Sequence, residues 1–161
     1  MKNLLLASLL VLTLIQPSFS AGSSGDSSAT KTDYEKAVKY VKQAKKYEEK
    51  GKTDKAQKRY QKAQKLLIAS NAKIPNKADT LNYLGFTTRK LGDFETGEKY
   101  YLEGLAIEPG HIGINEYLGE LYVATGRIDL AKERLNILKN CNCVEFEELK
   151  EIIEGKKKSK Y

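Results

Sequence analysis

Tryptophan is missing from the 161 residues, methionine and histidine occur once each, cysteine twice and proline three times. So few prolines agree with an all-α chain. With no Trp, the ten Tyr must supply the large rings of a helical core. The lone His111 stands thirty residues from Cys141, too far along the chain to read as a shared metal site. It follows the Pro109-Gly110 turn, where it is expected to cap or pack locally. No phosphate-cradling glycine loop, no HExxH and no GxSxG occurs. We therefore expect no catalytic residue, no metal site and no cofactor.

Long apolar runs are also scarce. The main one, residues 4–15, is too short to span a membrane comfortably. It follows the positive start Met1-Lys2-Asn3 and precedes Ser18-Phe19-Ser20, which puts small residues at −3 and −1 of a cut before Ala21. This is the layout of a secretory signal peptide over residues 1–20. No Cys follows the cut, so a lipid anchor is not supported. An uncleaved N-terminal anchor is the other reading of the run. Export across the inner membrane is expected, to the periplasm if the source is Gram-negative. The Ser/Gly/Thr-rich residues 21–32 read as a flexible leader.

Charge is abundant but unevenly placed. Residues 31–70 hold thirteen Lys+Arg against five Asp+Glu, and residues 78–154 hold eight against fifteen. A basic N-terminal lobe therefore faces an acidic C-terminal one, which bears on association and not on fold. The lysine-dense first pair is either a solvated face or an attachment point for an acidic partner or an anionic, phosphate-bearing envelope component. An exported chain gives no reason to expect nucleic acid.

What organises the rest is a repeat. Leu84-Gly85 returns thirty-four residues later as Leu118-Gly119, Gly92 as Gly126, Phe94 as Ile128 and Gly97 as Ala131. Each copy reads as two amphipathic helices, 78–91 with 94–108 and 112–125 with 128–140. Setting Gly51 against Gly92 exposes a diverged third copy over 33–71, with Thr32 or Asp33 capping its first helix and Thr53 its second. Residues 72–77, with Pro75, form a linker. The repeats occupy 78–111 and 112–145, a closing helix 144–155 caps the array, and 156–161 is a basic tail.

Leu81, Leu84, Gly85, Phe94, Tyr101 and Pro109 make the first copy resemble the tetratricopeptide repeat, with departures at Gly97 and Gly104, where Ala is usual. The resemblance implies a right-handed all-α solenoid of about three helix-turn-helix repeats plus a C-terminal capping helix. It further implies a concave face, lined by the first helix of each pair, that holds a partner protein or peptide. The residues on that face would be Asn82, Tyr83, Phe86, Arg89 and Lys90 from the middle unit, and Glu116, Tyr117, Glu120 and Val123 from the next. Phe86 falls outside the stripe of Leu81, Leu84 and Thr88, so it is read either as an exposed recognition anchor or as packing under the first helix pair. Glu116 and Glu120, neighbours at i, i+4, are either two solvated carboxylates or part of the groove.

Cys141 and Cys143 most simply form a local disulfide closing the last turn. Buried reduced thiols, redox activity, intermolecular pairing and metal binding are the other readings. The pair, together with Asn82-Tyr83-Leu84-Gly85 and the stretch from Glu116 to Tyr122, also resembles a group of exported proteobacterial tetratricopeptide proteins over about the last eighty residues. That group implies no defined activity. The expected function is a non-catalytic adaptor or scaffold. A redox or metal-handling role for the Cys pair is one alternative, and a self-assembling envelope protein, basic lobe on acidic lobe, is the other.

Overall fold

The computed structural model describes residues 31–159. The expected signal segment 1–20 and most of the leader therefore lie outside the described residues. Seven helices and no strand occur among the described residues: α1 (Asp33–Glu48), α2 (Thr53–Lys73), α3 (Ala78–Lys90), α4 (Phe94–Ile107), α5 (Ile112–Ala124), α6 (Ile128–Leu138) and α7 (Val144–Ile153). None of them is long and apolar enough to cross a membrane. They pack as three hairpins, α1–α2, α3–α4 and α5–α6. Helix α2 is joined to α3, α4 to α5, and α7 lies against both α5 and α6.

Helix α1 starts on a capping box. The Thr32 hydroxyl accepts from the Glu35 N–H, and the Glu35 carboxylate accepts from the Thr32 N–H at 2.8 Å. Thr53 does not cap α2 as expected; Lys52 takes that place without a side-chain bond. The positive φ of Gly51 lets the Lys52 N–H reach the Tyr47 carbonyl at 2.8 Å, which sets the helix start one residue earlier. At its other end α2 runs to Lys73, past the expected residue 71, and stops before Pro75. The proline ring keeps the residue before it out of the helical region, and Ile74 does leave it, at φ −135° and ψ 85°.

The two glycines that share a repeat position on α3 and α5 show how the copies differ. A Cβ on Gly85 would stand 2.5 Å from the Tyr101 ring of α4. At the equivalent of Tyr101 the third pair carries Leu135, which is only half-buried. The space over Gly119 is taken instead by Leu149 of α7, whose Cδ2 would lie 2.6 Å from an added Cβ. Leu149 and Ile152 are the buried residues of α7. The closing helix thus reaches the same hollow that a ring fills one repeat earlier.

Candidate functional site

The first helices of the three pairs, α1, α3 and α5, meet along one face of the array. Counting back forty-one residues from Phe86 gives Lys45, and counting on thirty-four gives Glu120. One repeat position therefore carries a cation, a ring and a carboxylate on successive helices. The Lys45 ammonium sits 4.6 Å from the centre of the Phe86 ring and donates to the Tyr117 hydroxyl at 3.0 Å. Tyr117 in turn tilts against Phe86 with centroids 5.0 Å apart.

Beneath this layer lies Arg89, 1% exposed. Its Nη1 donates to the Tyr117 carbonyl at 2.7 Å, and Nη2 stands 3.6 Å from Glu120 Oε2. The guanidinium lies within 6 Å of the rings of Phe86, Tyr101 and Tyr117 (5.8, 5.7 and 5.6 Å). Burial holds its pKa below the ordinary arginine value, against the pull of Tyr101, Glu120 and Tyr117. Burial likewise raises the phenol of Tyr101.

A second set of polar contacts fastens α1 and α2 to α3. Glu48 accepts from the Tyr60 hydroxyl at 2.8 Å and pairs with Lys90 at 2.7 Å. Gln57 donates to the Lys90 carbonyl and Gln64 to the Thr88 hydroxyl, both at 2.9 Å. Above them, Lys45, Glu48, Glu49, Phe86 and Lys90 line a shallow groove of about 300 Å³.

The nine face residues named from the sequence divide accordingly. Phe86, Arg89, Tyr117 and Glu120 come together in one cluster, with Lys90 at its edge. Asn82 is buried beside Gly113, and Val123 packs with the core of the third pair. Tyr83 is half-buried, edge-on to Tyr34 at 5.9 Å. Two alternatives that the sequence left open are decided. Phe86 is not an exposed anchor: at 2% exposure it is closed in by Tyr60, Tyr117 and Lys45. Glu116 and Glu120 are not solvated carboxylates, since both are buried and Glu120 faces Arg89.

Lys45, Glu48 and Tyr60 were missing from the sequence-derived face. The signal was available, because Lys45 and Glu48 fall at the repeat positions of Phe86 and Arg89.

His111 caps α5: its Nδ1 accepts from the Ile114 N–H at 3.1 Å, while Nε2 faces Asp79 at 3.3 Å. The sulfurs of Cys141 and Cys143 lie at bonding distance between α6 and α7. Among the described residues no three His, Cys, Asp or Glu side chains gather as metal ligands. The clustered groups are rings, a buried guanidinium and carboxylates, and they tie α1, α2, α3 and α5 together.

No family model matches the chain, and no curated protein matches it. Among solved structures, the first tetratricopeptide domain of Spaghetti (RPAP3), bound to the HSP90 peptide SRMEEVD, is similar at 20% identity. The match covers 77% of this chain and 95% of that one, with a TM-score of 0.49. The first such domain of human RPAP3 is similar at 20% identity over 78% and 98% of the two chains, with a TM-score of 0.47. The Yersinia enterocolitica type III secretion translocator chaperone SycD is similar at 17% identity over 74% and 79%, with a TM-score of 0.51. At these identities the likeness is one of architecture, and the architecture is the one the repeat implied: an all-α solenoid of tetratricopeptide-like helix pairs.

Proposed function

We propose that the chain is a non-catalytic adaptor that holds a segment of a partner polypeptide on the face formed by α1, α3 and α5. The observation that carries this is the groove of about 300 Å³ beside the buried Phe86, walled by Lys45, Lys90, Glu48 and Glu49. A groove walled by charges of both signs suits a short peptide, which needs partners for its backbone and charges. The buried Arg89 layer beneath supports the reading, because a site fixed before binding loses less entropy on capture. SycD, which shares the fold, is itself a translocator chaperone. We further propose that the protein works after export, on the strength of the 1–20 segment, with Cys141 and Cys143 paired in that oxidising setting.

A photoreactive side chain placed at Glu49, on the rim, tests the site. It is expected to cross-link a discrete polypeptide in the native envelope fraction, whereas the same probe at the exposed Leu102 of α4 is not. Equal labelling from both positions would overturn the assignment. Fractionation of cells with N-terminal sequencing of the mature chain tests export, a start at Ala21 being the expected result.

A further inference from the structure

The strongest unassigned feature lies on the side of the first pair turned away from α3. Lys55, Lys58, Arg59, Lys62 and Lys65 form one stripe along α2, and with Tyr47 of α1 they line a groove of about 550 Å³ that no carboxylate lines. The α2 residues that meet α3, namely Gln57, Tyr60 and Gln64, lie on the opposite side of the same helix. Tyr40 forms a shelf for two of the cations, its ring centre 5.5 Å from the Arg59 guanidinium and 5.9 Å from the Lys62 ammonium.

Among the described residues none of these five cations has an ion pair. Lys55 with Arg59 and Lys58 with Lys62 are like charges at i, i+4, an arrangement that repels within an isolated helix. The acidic lobe is different. There Glu98 is held by Arg127, Asp129 by Lys132, Glu147 by Lys150, Glu148 by Lys157 and Glu154 by Lys156. These five carboxylates are already engaged within the chain, which favours another polypeptide over a second copy as the source of the complementary charge.

We infer that this groove is a second binding site, for an extended acidic polypeptide segment. Its shape favours a strand of charge over a membrane surface: the cations follow one line about 15 Å long, in four levels at Lys55, Lys58 with Arg59, Lys62 and Lys65 that lie about 4.5–6 Å apart, and Tyr47 walls one side. Carboxylates on one face of an extended chain recur at about 6.6 Å, close to that step. Lysine supplies four of the five cations, and its compact, mobile ammonium tolerates such an approximate match. The site does not depend on the groove above Phe86, and the two can hold different parts of one partner.

The test uses the full mature chain and a fluorescent decaglutamate peptide, with decaglutamine as the uncharged control. Binding of decaglutamate alone is expected, weakening as salt is raised. The double variant Lys58→Glu/Lys62→Glu is expected to weaken it about tenfold or more, whereas Lys132→Glu/Lys139→Glu, of equal net charge, changes it by less than about twofold. Both variants must give the wild-type circular dichroism spectrum, which these exposed positions allow. Absence of decaglutamate binding, or equal loss in the two variants, would overturn the inference. So would groove-dependent capture of phosphatidylglycerol vesicles or inorganic polyphosphate without groove-dependent capture of decaglutamate.

Discussion

The two ends of the array are finished by different physics. The first pair packs through small residues, Ala37, Ala44, Ala56 and Ala63, around Tyr60, and the five cations of its α2 stripe have no ion pair among the described residues. The last pair packs through Ile114, Leu118 and Leu121, is sealed by Leu149 and Ile152 of α7, and has its carboxylates largely paired. Exposed pairs of that kind contribute little to stability. The contrast teaches that the closing end is secured by apolar burial, while the first end keeps an exposed stripe of like charge that salt screens and an acidic partner would neutralise.

The sharpest way to break this comparison is at Leu149. It is fully buried, and its branched end stands where a Cβ of Gly119 would be. Leu149→Ala is expected to cost about 2–5 kcal/mol, because a cavity is left over a glycine that cannot fill it. Urea unfolding followed by circular dichroism measures the loss. A cost below about 1 kcal/mol would mean that α7 rests on the array without sealing it.

An intermediate effect is expected from alkali, and it should begin at the first end. Burial, with Asp79 and Tyr83 adding to it, pushes the Tyr34 phenol up to about 12. Tyr60 is raised by burial and by its bond to Glu48, and Tyr83 and Tyr101 chiefly by burial. A phenol whose folded pKa exceeds its unfolded value of about 10 favours the folded state fully below that pH, and the advantage is lost as pH rises through the folded value. For Tyr34 the window is pH 10 to about 12. Hydrogen exchange in that window should accelerate first in α1 to α3, which hold Tyr34, Tyr60 and Tyr83, and later in α6 and α7, which contain no tyrosine. Simultaneous loss across all seven helices would show that the ends are not separable.

Much of this was legible in the chain, and what was not has a common cause. The helices, their turns and the thirty-four-residue register follow from local signals: apolar stripes at helical spacing, and Gly92 and Gly126 where the backbone turns with positive φ. The fate of Phe86 does not follow from its own helix, because the groups that close over it, Lys45 and Tyr60, come from a diverged pair with a different offset. Glu120 looks solvated by residue type, and only the position of Arg89 on the neighbouring helix explains its burial. The seal at Gly119 is hidden for the same reason. Leu135 fails to reach a hollow that Tyr101 fills one repeat earlier, and the substitute comes from beyond the Cys pair. Periodicity tells which face turns inward, whereas what meets it there is decided by other elements.

The smallest effect sharpens the comparison most cheaply. If α2 carries an unneutralised stripe, replacing Lys58 and Lys62 by Gln should leave the chain slightly more stable, by about 0.2–0.5 kcal/mol per like-charge pair removed. Lys132→Gln at the other end removes a cation paired with Asp129 at 3.3 Å, and it should be neutral or slightly destabilising. Raising the salt should erase both differences, since the charges are exposed and a Debye length falls to about 3 Å near 1 M. Thermal unfolding at low and high salt reads out both signs in one series. Opposite signs at low salt that converge at high salt would locate the strain on α2. A destabilised Lys58→Gln/Lys62→Gln variant would show instead that the lysine stems over Tyr40 and Tyr47 contribute packing that outweighs their repulsion.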